Sequence, residues 1–224
     1  MNAVLLRSDG ARSMLLPTMI FKELDPFRGN PCDVDARLEA DKLAYYLRRF
    51  YRRSHAVDVL NGLHVQSGQS TARIDHLLMH AHGLLVLLRE PTRGRMQVSL
   101  DGNWLCWAAG TWRQLRSPIT HAYVQALLLK SLLDLRVKQK GFFDGLELDV
   151  LVVLDDSCEL QWPDSGSLVE VCKREEVFER CEYRFAQCAS QALRPGALTQ
   201  TERQTLGEFL CLAHRALAYG ASAW

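Results

Sequence analysis

The chain has 224 residues, with 27 basic residues set against 26 acidic ones, so it is long enough to bury a core and close to neutral. That balance excludes the global basic excess of a strongly cationic nucleic-acid binder but leaves room for a local patch. Seven cysteines, odd in number and without a CxxC pair, argue against a secreted disulfide framework and predict reduced thiols.

Residues 1–32 mix apolar runs with Pro17, Pro26 and Pro31, and read as an extended arm packed on the domain, with a strand possible there. Leu38, Leu43, Tyr46, Leu47 and Phe50 recur at helical spacing and predict a first helix over 35–53. It closes on Arg48, Arg49, Arg52 and Arg53, where cations complement the helix dipole. Strands follow at 57–65, 72–80, 83–89, 95–100 and 104–108, and Asp101-Gly102 predicts a type I′ hairpin turn between the last two. Ser117-Pro118 opens a long helix to about 140, since proline suits the first helical position. A near-continuous apolar run over 146–154 predicts a strand buried on both faces. Two helices complete the chain, at 174–192 and, from the capping box Thr199-Gln-Thr-Glu202, to about 218. The economical organisation is an arm (1–32), an α/β domain (33–156) and a helical C-terminal extension (157–224). No signal peptide or membrane span is evident, so the expected location is the cytoplasm.

The most informative stretch is 72–91, two predicted strands turning at Gly83 with Asp75 inside an otherwise apolar first strand. A half-buried carboxylate in a strand requires a cation, a hydrogen-bond donor or a metal. The Ile74-Asp75-His76 step resembles the nuclease-related domain (NERD) family, together with the strand from Gly83, the following Gly94, the hairpin with Trp104 and the Pro118 helix with Gln125. The resemblance covers about 35–155 and implies a restriction-endonuclease-like (PD-(D/E)XK) fold: a mixed central β-sheet flanked by helices, with a Mg²⁺ site at one sheet edge. Such a site needs carboxylates on the metal and a cation on the phosphate. The family places an Asp on the first strand and a Glu-x-Lys on the next, two residues projecting from one strand face.

Asp75 matches the first position, but Leu88 stands where the Glu belongs and Glu90 where the Lys belongs. His121 and Gln125 also depart from the family's helix glutamine, which sits three residues after the proline. The expectation is therefore a degenerate nuclease with no cofactor. It would bind DNA or RNA, or dock a protein partner or a second copy, with no membrane role. The alternative is a divergent Mg²⁺ endonuclease using Asp75 and a shifted Glu90 as metal ligands, with Glu39 from the first helix. A third reading is a structural subunit without nucleic acid. Asp75 alternatively forms a structural ion pair with Arg73, Arg93 or Arg95. Candidate phosphate contacts are Arg48, Arg49, Arg52 and Arg53 beside Tyr45, Tyr46 and Tyr51, and Arg89, Arg93, Arg95, His121 and Gln125 nearer the site. His76, His80 and His82 read as solvated or hydrogen-bonded rather than as a zinc cluster. Cys172, Cys181 and Cys188 read as core.

Overall fold

The computed structural model describes residues 19–30, 33–136, 146–163, 168–191 and 197–215. In chain order the elements are β1 (Ile20–Lys22), α1 (Val34–Tyr51), β2 (Val57–Ser67), β3 (Ser70–His80), β4 (Gly83–Glu90), β5 (Gly94–Val98), β6 (Trp104–Ala108), β7 (Thr111–Leu115), α2 (Pro118–Arg136), β8 (Glu147–Leu154), β9 (Cys158–Gln161), β10 (Val171–Lys173), α3 (Val177–Gln191) and α4 (Gln200–Ala213). A six-stranded mixed sheet runs β1-β2-β3-β4-β8-β10, and a four-stranded sheet runs β7-β6-β5-β9. In the larger sheet β2, β3 and β4 are antiparallel neighbours, while β1–β2, β4–β8 and β8–β10 pair in parallel.

The alternation of β4 sorts the interior. Leu84, Val86 and Leu88 enter the core beneath α2 and α4, whereas Leu85 and Leu87 enter the core beneath α1 and α3. Both faces are covered, which is why β4 and β8 read as unbroken apolar runs. Cys172 and Cys181 lie in the α1–α3 core, and burial pushes the Cys172 thiol up to about 12. Gly83 is required by contact: a Cβ there would stand 2.4 Å from the Glu147 carbonyl oxygen of β8.

The segment after 156, expected to be helical, also contributes β9 to the small sheet and β10 to the large one. Its last helix, α4, crosses back onto β2. There Arg203 donates from Nε to Asp58 Oδ2 at 2.8 Å and from its terminal nitrogens to the carbonyls of Leu198 (3.0 Å) and His55 (2.7 Å). Asp58 and Arg203 are buried, and this saturation of donors is what makes the pair tolerable in the interior. The expected final helix ends earlier than 218: α4 stops at Ala213, and His214 bridges to Val65. The ends expected near residues 140 and 192 lie outside the described residues.

The turn chemistry differs from expectation at one place. Gly102 has φ +77°, but Asp101 does not share it, and Ser99 pairs with Asn103 around a three-residue loop. This is a type I turn closed by a left-handed glycine. The two-residue turn with positive φ at both positions is Ala109-Gly110 (φ 51° and 79°), joining β6 to β7, a strand the sequence pattern did not reveal. Alanine in that conformation costs about 1–2 kcal/mol. Ala109→Asn, restoring the favoured Asn-Gly pair, is expected to raise the unfolding free energy by about 0.5–1 kcal/mol, read as a higher urea midpoint at unchanged m-value.

Candidate functional site

The β3–β4 ladder runs from His80 opposite Gly83 to His76 opposite Leu87. Beyond it the next positions are Asp75 and Leu88, and the carboxylate takes over the role of the missing backbone acceptor. Asp75 Oδ2 accepts from the Arg89 main-chain N–H at 2.7 Å, and Oδ1 lies 3.3 Å from Arg89 Nη2. The same guanidinium donates from Nη1 to the Ala36 carbonyl in the first turn of α1, at 2.7 Å. One ion pair thus ties β3, β4 and α1 together. The observed ion pair of Asp75 is with Arg89, which is not among the candidates Arg73, Arg93 and Arg95 considered from sequence. Alternation does send Arg89 away from Leu88, but Asp75 sits where the ladder ends and reaches it across the strand edge.

Leu88 is buried in the α2-side core. Glu90, at the end of β4, accepts at Oε1 from the Thr92 N–H (3.0 Å) and the Thr92 hydroxyl (2.5 Å), closing the Pro91-Thr92 turn. Asp75, Leu88 and Glu90 line one cleft of about 1270 Å³, walled by the 24–29 loop, the N-terminal part of α1 and the first turns of α2. His121 is exposed on that wall. Gln125 is buried, its Oε1 accepting from the Arg73 N–H at 2.7 Å, so it anchors β3 to α2.

Glu90 also borders a second cleft of about 300 Å³ with Glu39. Glu39 is bound by Lys42 at 2.7 Å and by Arg174. Burial alone would raise its pKa, but Lys42 and Arg174 outweigh that and hold it below the ordinary carboxylate range. Arg93 bridges Asp35 (3.2 Å) and Asp155 (3.3 Å), and Arg95 lies over the Trp107 and Trp112 rings at 5.6 and 5.5 Å. Arg48 pairs with Glu23 at 2.6 Å, while Arg49, Arg52 and Arg53 are exposed. Tyr51 is buried, its hydroxyl donating to Glu182 at 3.1 Å. Arg48, Arg49, Arg52 and Arg53 therefore stand apart from the cleft, at the opposite end of α1 from the cleft-lining Arg37.

The three histidines of the strand pair do not converge. His76 is buried against Asn61, with 2.8 Å between Nδ1 and the amide oxygen, and His80 packs on Phe185 with ring centroids 4.5 Å apart. A different cluster, which sequence reading missed, joins Asp25, His64 and His214. Among the described residues it is the one set of three or more such side chains with ligand atoms mutually within 4.8 Å. Its bonding is already complete at two members. The His64 amide donates to His214 Nδ1 (3.1 Å), which leaves the ring proton on Nε2, facing Asp25 Oδ2 (3.0 Å), while Lys22 neutralises Oδ1 (3.0 Å). This favours a hydrogen-bonded node over a metal centre. No sequence signal marks it, because its members are separated by up to 189 positions.

A mixed sheet flanked by helices, with a cleft at the edge where β3 and β4 part, defines a nuclease-like α/β core. The nuclease-related domain profile matches residues 36–154, more than half of the chain, and the chain belongs to that family. No curated protein and no solved structure matches it. Among the described residues no helix is long and apolar enough to cross a membrane.

Two expected outcomes follow from this geometry. Asp75→Ala removes the acceptor of the Arg89 main-chain N–H and one partner of its guanidinium, and is expected to lower stability by about 2–3 kcal/mol in urea titration, with Asp75→Asn costing less because its amide oxygen still accepts from the main chain. A loss below about 0.5 kcal/mol would remove the structural role. Burial also lowers His76 to about 3 and His64 and His80 to about 4. Their folded pKa values lie below the unfolded value, so their stability is fully present above about pH 6.5 and is lost as pH falls from there toward 4. The urea midpoint is expected to drop between pH 7 and pH 5, and a flat profile would contradict the depressed values.

Proposed function

We propose that this chain is a nuclease-related domain that has lost phosphodiester hydrolysis and binds nucleic acid without cleaving it. The observation that carries the reading is the engagement of Asp75: both of its oxygens face Arg89, and Leu88 fills the position of the second metal ligand inside an apolar core. Hydrolysis of a phosphodiester asks for carboxylates free to hold Mg²⁺ and a cation aimed at the phosphate. Glu90 closes its own turn, Glu39 is held by Lys42 and Arg174, and Asp75, Glu90 and Glu39 do not gather into a group of ligand atoms mutually within 4.8 Å. The residues present do not fit a Mg²⁺ ion. Support for retained binding comes from the persistence of the cleft and from the exposed arginines at the end of α1.

One observation favours a second reading: Asp75 and Glu90 line the same cleft, as a divergent endonuclease would require. The deciding experiment incubates plasmid DNA and single-stranded oligonucleotides with the protein in Mg²⁺ or Mn²⁺, using wild type, Asp75→Ala and Glu90→Gln. The expected outcome is intact substrate throughout, with retention on nucleic acid at low salt that falls steeply as salt rises. Cleavage abolished by both substitutions would establish the divergent enzyme. Absence of binding at low salt would leave a protein-docking or structural subunit.

A further inference from the structure

We propose that single-stranded nucleic acid is held on the outer face formed by the C-terminal half of α1 and the start of α3, away from the cleft. The proposal rests on the binding reading above and gives it a surface and a strand form. From Lys42 to Val57 the chain carries four arginines, Lys42 and His55, and no acidic residue. Arg48 is answered by Glu23, but among the described residues no ion pair engages Arg49, Arg52 or Arg53, all exposed. Of the carboxylates on the neighbouring stretch of α3, Glu182 is occupied by the Tyr51 hydroxyl, and Glu179 stands beside Phe178 in the chain.

Interleaved with these cations is a row of rings that the protein leaves in water. Tyr45 is 58% exposed, Tyr46 36%, Phe50 39% and Phe178 38%. Phe50 stacks on Phe178 at 4.5 Å and 28°, Tyr46 on Phe50 at 6.2 Å and 22°, and Tyr45 meets Tyr46 edge-on at 6.2 Å. The rings hold one another in place across two helices, so a base that adds to the row meets groups already ordered. Tyr51, which sequence alone placed in this set, faces inward instead, and Phe50 and Phe178 take its place. Cations without internal partners call for an anionic occupant, and exposed rings call for bases whose faces are accessible. Duplex DNA offers the first and hides the second; a single strand offers both. The row begins at Tyr45, roughly 14 Å along the helix axis from Ala36, where Arg89 docks, and runs away from the cleft.

The test measures anisotropy of fluorescein-labelled dT20 and of a 20-base-pair duplex against the full chain across a salt series. Wild type is expected to favour dT20 over the duplex. Arg49→Ala/Arg52→Ala/Arg53→Ala should weaken dT20 binding roughly thirtyfold at low salt and flatten the slope of log K against log salt by about 2, near 0.7 per lost phosphate contact. Tyr46→Leu/Phe50→Leu, which keeps the apolar volume and removes the rings, should cost about tenfold while leaving the slope unchanged. Circular dichroism and urea titration accompany each variant, and the slope separates lost contacts from lost fold. Binding by wild type with unchanged affinity and slope in both variants would overturn this surface while leaving the nucleic-acid reading standing. Equal affinity for duplex and dT20 would overturn the single-strand assignment. No binding of either probe by wild type would sink the nucleic-acid reading itself, and this surface with it.

Discussion

The contact between Asp75 and Arg89 sets the geometry of this domain's cleft. A strand ladder that ends inside a protein leaves a main-chain N–H in need of an acceptor, and here the Asp75 carboxylate supplies it. The guanidinium of the same Arg89 returns to the carboxylate and reaches on to the Ala36 carbonyl. Two consecutive strands and the first helix thus meet around one half-buried carboxylate, and the cleft opens beside them. A carboxylate engaged in this way holds architecture.

The replacement at position 88 fits that outcome. In a strand buried on both faces, every second side chain must fill one of two cores, and Leu88 completes the packing beneath α2. A glutamate there would carry charge into that layer unless a cation compensated it. Leu88 thus belongs both to that core and to the lining of the cleft beside Asp75.

Elsewhere the fold is fastened by polar contacts between segments far apart in sequence. Arg203 on α4 meets Asp58 on β2, His214 meets Asp25, and Arg174 joins Glu39 to Asp156. These bind the first helix, the central sheet and the C-terminal region into one body. They also engage Arg93, whereas among the described residues no ion pair engages the exposed Arg49, Arg52 and Arg53 at the far end of α1.

Periodicity located α1 and the strands β2, β3, β4 and β8, because each has a face or a run whose burial dictates residue type at fixed spacing, while Ser117-Pro118 and the Thr199 capping box marked the starts of α2 and α4. The matched step at Asp75 and the mismatches at Leu88 and Glu90 were likewise readable, since strand alternation fixes which residues share a face. The short strands β7, β9 and β10 were not: Ala109-Gly110 carries no Asn-Gly or Asp-Gly signal to announce β7, and the four and three residues of β9 and β10 are too few to show a period. Nor was the partner of Asp75: Arg89 is excluded by alternation within the ladder and becomes reachable only where the ladder ends. Sequence spacing placed Tyr51 with its neighbours at the end of α1, and only the packing of α3 turned it inward and brought Phe178 to Phe50. The chain by itself therefore determined the family, which is a local pattern. Tertiary structure decided which charges are spent inside and which remain outside, because that depends on partners that folding brings together from more than a hundred residues away.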